Sequence, residues 1–184
     1  MIETARLRLR PWREDDKPTF AAIINTPAMM AHFGGVAPRG DIDAIIDREM
    51  IRQMRDGHCM WAVELREGGA LVGVCGVRLA GYAGTPVTDV LEIGWRIGEQ
   101  WWGMGIAREA AQASMGWAWA NTGRASICAW TTADNDRSWG LMRRLGMVRR
   151  AELDFHHPNY PVQDPLGAMI VYAINRPEHI VFGS

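Results

Sequence analysis

Gly103 and Gly105 stand one residue apart, immediately before an alanine-rich run, and that spacing suits anion chemistry. Ala107, Ala110, Ala111, Ser114, Met115 and Ala118 recur at helical period, so a helix begins just past the second glycine. The first amides of a helix have no intrahelical partner, and the aligned peptide dipoles leave partial positive charge there. Glycine has no Cβ, so a pyrophosphate can approach such a backbone closely. The same two glycines serve equally as a tight strand-to-helix connection. Residues 103–107 lack the third glycine of the dinucleotide fingerprint and any Gly-Lys-Ser/Thr ending. The expected ligand is therefore another phosphate carrier, and a dinucleotide-dependent oxidoreductase is set aside.

The elements that must position this turn follow from patterning. Leu91, Ile93, Trp95 and Ile97 alternate with Glu92, Gly94 and Arg96, the period of a half-buried strand, and Gly98 ends it. Residues 7–12 read as a first strand, at the sheet edge with one wet face. Asp15 or Asp16 caps a helix with Pro18 in its first turn and Phe20, Ile23 and Ile24 inward. Residues 29–40 read as a loop, after which Asp41 caps a second helix with Ile42, Ile45, Ile46 and Met50 inward, stopped by Gly57. Residues 61–65 and 71–79 form a hairpin. Residues 81–88 are a connection, and 126–131 form a strand after the central helix. A short helix capped by residues 134–136 ends at Gly146, and 147–153 and 168–174 supply the last strands around a proline-bearing loop at 156–165.

The run Glu92-Ile93-Gly94-Trp95-Arg96-Ile97, followed by Gln100-x-x-Gly103-x-Gly105-Ile106-Ala107-x-Glu109-Ala110-Ala111, resembles motif A of the GNAT superfamily of acetyl-CoA-dependent N-acetyltransferases. Arg6-Leu7-x-Leu9-Arg10-Pro11-Trp12, and Asn135-x-x-Ser138 with Leu145-Gly146-Met147, resemble the branch that includes the ribosomal-protein N-terminal acetyltransferases. The resemblance implies an α/β (α+β) fold with a mixed, mostly antiparallel sheet and helices on both faces, in one domain over residues 3–178. It also implies acetyl-CoA as acyl donor and a primary amine as acceptor: a protein N-terminus, an amino acid or a small molecule.

Site roles follow by position within that resemblance. Pantetheine contacts fall to Trp95 and Ile97, pyrophosphate contacts to Trp102, Gly103, Met104, Gly105, Ile106 and Ala107, and a further cofactor contact to Asn135, which reads equally as a helix cap. Acyl transfer to an amine needs a neutral amine, a stabilised oxyanion and a proton for the thiolate. Glu92 is the candidate base, its pKa raised beside an apolar cofactor arm; the alternative is an ion pair with Arg96 or Arg78. Many family members place a tyrosine acid where this chain has Met142, so Ser138 becomes the candidate proton donor, or is simply solvated. That substitution also admits a non-catalytic acyl-CoA sensor or assembly protein. His32 and Phe33 fall in the acceptor pocket that the family builds between its first two helices, and His156 or His157 in a loop over the same site; plain surface loops are the alternative.

The bulk numbers narrow the field. The length of 184 residues suits one domain. The net charge of −1, with acids and bases interspersed, gives no basic stripe for nucleic acid. Lys17 is the only lysine, a poor Schiff-base candidate in a first helical turn. Cys59, Cys75 and Cys128 are isolated among apolar residues and read as reduced core thiols, outside any His-paired nucleophile pattern. No metal spacing and no membrane-length apolar run stand out. A cytoplasmic enzyme, monomer or homodimer, that transfers the acetyl group directly is the expectation.

Overall fold

The computed structural model describes residues 1–178. In chain order the elements are β1 (Ile2–Glu3), β2 (Leu7–Arg10), α1 (Lys17–Ile24), α2 (Pro27–Met30), α3 (Arg39–Asp56), β3 (Met60–Leu65), β4 (Leu71–Leu79) and β5 (Leu91–Ile97). They continue with α4 (Ile106–Asn121), β6 (Ser126–Thr131), α5 (Asp136–Arg144), β7 (Val148–Arg149), β8 (Phe155–His156) and β9 (Ala168–Asn175). The sheet order is β1-β2-β3-β4-β5-β6-β9-β7, with β8 also paired to β9. β5 and β6 pair in parallel and all the other described pairs are antiparallel. The sheet is mixed and mostly antiparallel, as the family resemblance implies.

Side chains alternate along a strand, so the register partners Cys75 and Trp95 share one face while Gly94 and Arg96 look to the other. Ser114 of α4 lies 3.7 Å from Cys75 Sγ. On the opposite side, a Cβ built on Gly98 would stand 2.6 Å from Ile23 of α1. Helix α4 thus covers one face, and α1 with α3 against it covers the other. Alanine-rich α4 can lie close to the sheet because Ala110, Ala111, Ser114 and Ala118 are buried and small. Buried Phe20, Ile24, Ile42 and Ile46 fill the space under α1 and α3.

The sheet parts between β5 and β6. β5 and β6 pair only at Leu91 with Ile127 and at Glu92 with Cys128. From there β5 continues to Ile97 against β4, and β6 continues to Thr131 against β9. The two strands part and open a wedge whose β5 side ends at the glycine turn. Close approach of β4 holds that side in place: Gly73, at φ +152°, sits opposite Ile97, and a Cβ there would come within 2.1 Å of the Arg96 carbonyl oxygen.

Several local expectations are corrected. β2 is not the edge, because β1 pairs outside it. Residues 27–30 form a helical turn capped by Thr26 Oγ1, which accepts the Met29 N–H at 3.2 Å, and this turn buries Met29 and Met30. Helix α3 starts at Arg39 rather than behind Asp41. Pro38, at φ −55° and ψ 145°, is its N-cap, and its carbonyl accepts the Asp41 amide at 3.0 Å. The Asp16 side chain does not cap α1, because Arg10 engages it. Beyond Met147 only Val148–Arg149 pairs as strand before a 3-10 turn at Ala151–Leu153, whereas Phe155–His156 pairs with β9 where a loop is expected.

Candidate active site

The glycine turn is built as an open helix start. Gly105 is the N-cap of α4 at φ +76°, a conformation that costs an L side chain about 1–2 kcal/mol, and no side chain caps the helix. Gly103 also has φ +76°. Trp102 anchors the turn, its indole N–H donating to the Ile97 carbonyl at 2.5 Å. Arg6, just before β2, braces it, donating to the Met104 carbonyl at 2.9 Å while pairing with Glu109 at 2.6 Å. The Arg137 guanidinium of α5 lies 4.5 Å from the Trp102 ring, so a cation stands beside the turn. Met104 is exposed and Ile106 buried, while Ala107 and Trp95 are partly buried against the core beside buried Ile97.

Across the wedge, Asn135 is the N-cap of α5. Its Oδ1 accepts the Ser138 amide at 3.3 Å, and its Nδ2 donates to Thr131 Oγ1 at 2.8 Å. The side chain so ties the end of β6 to the first turn of α5, where Ser138 is half-buried. Met142 is buried and cannot donate a proton. His32 and Phe33 reach opposite sides of the wedge from one segment. His32 Nδ1 lies 3.3 Å from Thr132 Oγ1, and the Phe33 ring lies 4.0 Å from the Arg96 guanidinium carbon. Residues 31–35 therefore straddle the opening.

Glu92 sits buried on the α1/α3 face at the point where the strands part. The ion pair forms, and its partner is Arg78, which donates Nε to Oε2 at 2.8 Å and Nη2 to Oε1 at 3.1 Å. Behind it, Glu49 of α3 accepts from Arg52 at 2.6 Å, from Arg78 at 3.4 Å and from the Met60 amide at 3.0 Å. Burial opposes the charge on Arg78, but Glu92 outweighs it and its pKa is raised. Arg96 behaves oppositely: burial and then the Arg78 charge push its pKa down to about 10.

His157 is buried against this cluster, its ring 4.5 Å from Tyr82 and 5.6 Å from Tyr160. Burial lowers its pKa below 6.5 despite the Glu92 carboxylate. Its Nδ1 accepts the Asn159 amide at 3.2 Å, which places the proton of the neutral ring on Nε2. Burial also raises the Tyr82 and Tyr160 phenols. His156 instead packs on Gly167, with Nε2 3.3 Å from the Asp164 carbonyl. All three cysteines are free and buried, and burial pushes the Cys75 thiol up to about 12.

The structure thus places Glu92 and His157 in one buried cluster and Phe33 over Arg96 farther along β5, with the glycine turn at the end of β5 and Asn135 and Ser138 at the end of β6. Sequence reading treated Arg78 and Arg96 only as possible partners of Glu92 and missed Glu49, Tyr82, Tyr160 and Arg137. Glu49 carried a signal, since it falls on the inward period of α3 with Ile42 and Ile46. Tyr160 carried none, because a loop has no period.

Comparison with known proteins agrees with this fold. Over 147 residues, 79% of this chain and 84% of the relative, the chain is 25% identical to the uncharacterized protein YkkB of Bacillus subtilis (strain 168). The crystal structure of an acetyltransferase from Agrobacterium tumefaciens str. C58 superposes with a TM-score of 0.77 at 24% identity, covering 95% of this chain and 94% of the other. The ribosomal L7/L12 alpha-N-protein acetyltransferase RimL, solved in complex with coenzyme A, superposes at 0.71 with 16% identity over 94% and 95% of the two chains. The acetyltransferase (GNAT) domain model matches residues 6–148, and the chain belongs to the GNAT acetyltransferase family.

Proposed function

We propose that this protein is a cytoplasmic single-domain N-acetyltransferase, residues 3–178, that moves the acetyl group of acetyl-CoA directly to a primary amine. The observation that carries the reading is the wedge between β5 and β6, which leads to the uncapped, glycine-bearing start of α4. A pyrophosphate fits that helix start by charge and by clearance, and an extended arm fits the unpaired edge of β5. RimL, whose fold this chain shares, was solved with coenzyme A.

Acetyl-CoA, when bound, supplies an acetyl group activated as a thioester. The amides of residues 102–107 hold its pyrophosphate, with Arg137 adding positive charge. The backbone at Trp95 and Ile97 holds the pantetheine arm and polarises the carbonyl. Glu92, fixed in orientation by Arg78, takes the amine proton directly or through water. Ser138 protonates the departing thiolate, and Asn135 holds the start of α5 against β6. His32, Phe33 and His157 line the acceptor side. The buried thiols take no covalent part, since burial keeps Cys75 protonated at neutral pH.

Thiol release from acetyl-CoA across a panel of amines and short peptides, paired with a thermal-shift titration of CoA, tests the reading. Turnover with one acceptor class is the expected outcome. A CoA-induced shift without turnover would favour the sensor reading, to which buried Met142 gives support; no shift would overturn both.

A further inference from the structure

One charge in the acceptor cleft has no counter-ion. On the α1/α3 face of the sheet Glu49 and Glu92 carry two negative charges, answered by Arg52 and Arg78 at 2.6 and 2.8 Å. Arg96 is a third cation, four residues beyond Glu92 and so on the same face of β5. Among the described residues no carboxylate lies within 4.0 Å of its guanidinium. Two negative and three positive side chains leave the cluster with one net positive charge. His157 adds none at neutral pH, because its pKa lies below 6.5.

A half-buried guanidinium has five N–H donors that a ligand can reach, and Arg96 is not among the buried groups left without a partner. What surrounds it is also short of acceptors. Phe33 offers a ring face 4.0 Å away. His157 presents Nε2–H, because Nδ1 already accepts from Asn159. Arg96 therefore meets a ring face, and no carboxylate among the described residues pairs with it. By contrast Arg10, lying on the same face, is closed by Asp16 and Glu64 at 2.7 and 2.8 Å.

We propose that the acetyl acceptor is a primary amine that also carries a carboxylate, and that Arg96 binds this carboxylate. The inference rests on the acetyltransferase reading and narrows its acceptor. A planar guanidinium fork matches a carboxylate with two parallel hydrogen bonds. The amine end then lies toward Glu92, deeper along β5.

The test compares amino acids with their amides, and with phosphoethanolamine as the phosphate-bearing amine, by thiol release and by calorimetry on the CoA-saturated protein. The acid is expected to exceed its amide in kcat/KM on the order of 10- to 100-fold, mostly through KM. In Arg96→Gln that ratio collapses toward one. Arg96→Lys retains part of it, and Arg55→Gln, exposed at the far end of α3, retains all of it. An amide equal to its acid, a ratio that survives Arg96→Gln, or a clear preference for phosphoethanolamine would overturn the proposal. Should CoA bind and no amine turn over, calorimetry decides: acids that bind equally to the wild-type and Arg96→Gln proteins sink it. Absence of CoA binding instead sinks the acetyltransferase reading, while Arg96-dependent binding of acids is still measured on the free protein.

Discussion

Two buried arginine–carboxylate clusters lie on the same face of the sheet, and they end differently. Near its edge, Arg10 holds Asp16 through two hydrogen bonds of 2.7 and 2.8 Å and Glu64 through one of 2.8 Å, with Arg8 completing Glu64 at 3.1 Å. Each charge there is answered, and the Asp16 carboxylate also accepts the Arg13 amide at 2.9 Å. At the centre, Glu49, Arg52, Arg78 and Glu92 close on one another but Arg96 stays over. A saturated cluster can only hold the fold, here by joining β2, β3 and the entry to α1. One left a charge short of neutrality has a use for a ligand. Its position beside the splayed strands gives that ligand a place to react.

The largest expected effect breaks the closed cluster. Arg10→Leu strands the buried Asp16 carboxylate and leaves Glu64 with Arg8 alone, and should cost about 3–5 kcal/mol in urea unfolding at pH 7. In the wild type, burial opposes the charge on Asp16 and Glu64, but Arg10 outweighs it and holds both below their ordinary values. Their contribution is complete above the unfolded carboxylate range and is lost as pH falls through the folded values. The deficit of Arg10→Leu should therefore shrink toward pH 3, and a deficit constant with pH would show that packing of the arginine stem, not charge, is at stake. The open cluster should answer in rate instead. Glu92→Gln is expected to lower kcat on the order of 10²- to 10⁴-fold with CoA affinity retained. Its loss of stability should be smaller than that of Arg10→Leu, because glutamine can still bond Arg78. Equal stability losses and an unchanged kcat would erase the distinction between the clusters.

The same contrast explains what the sequence made legible. Period-two and period-3.6 patterns located the central strand, the glycine turn and α4, because each must bury one face against a known kind of neighbour. The alternation of Arg8 and Arg10 with Leu7 and Leu9 suggested a wet face for β2, yet Arg10 is buried. Pattern reports polarity, and it does not report that Asp16 and Glu64 arrive from other elements to neutralise it. Likewise nothing local told Arg78 from Arg96 as the partner of Glu92. Register decided it, since Arg78 is directly opposite Glu92 across the β4–β5 pair. The acceptor side was the least legible, because Phe33 and Tyr160 come from segments whose placement is set by packing rather than by period.

A smaller effect concerns the wedge's other end. Gly105→Ala meets only ordinary contact, 3.5 Å from the Arg6 guanidinium, so the cost is the left-handed backbone itself, about 1–2 kcal/mol. If the turn answers by rotating its amides away, CoA affinity should fall roughly tenfold by calorimetry while the rate at saturating CoA changes little. Gly103→Ala, also at φ +76° and with nothing within 4 Å, should behave alike. Unaltered CoA affinity in both would move the pyrophosphate elsewhere and detach the wedge from the open cluster.

The smallest effect is the sharpest probe of the cleft's polarity. His157 has its pKa depressed by burial first and by Arg78 among the charges, only partly offset by Glu92. In the window between the folded value and the unfolded 6.5 the unfolded chain binds the extra proton, so stability is complete above about pH 6.5 and declines as pH falls. One group cannot give a slope steeper than about 1.4 kcal/mol per pH unit. The measurement is the difference between the wild type and His157→Asn in unfolding free energy from pH 7.5 to 5. The wild type should lose stability on acidification faster than the variant. A bound acid on Arg96 would bring a carboxylate near the imidazole and raise its pKa, so the same acidification with saturating acid present should cost less. Equal slopes for wild type and variant would mean that His157 is not held neutral by its surroundings, and an excess slope untouched by the acid would place the carboxylate away from the cleft that Arg96 faces.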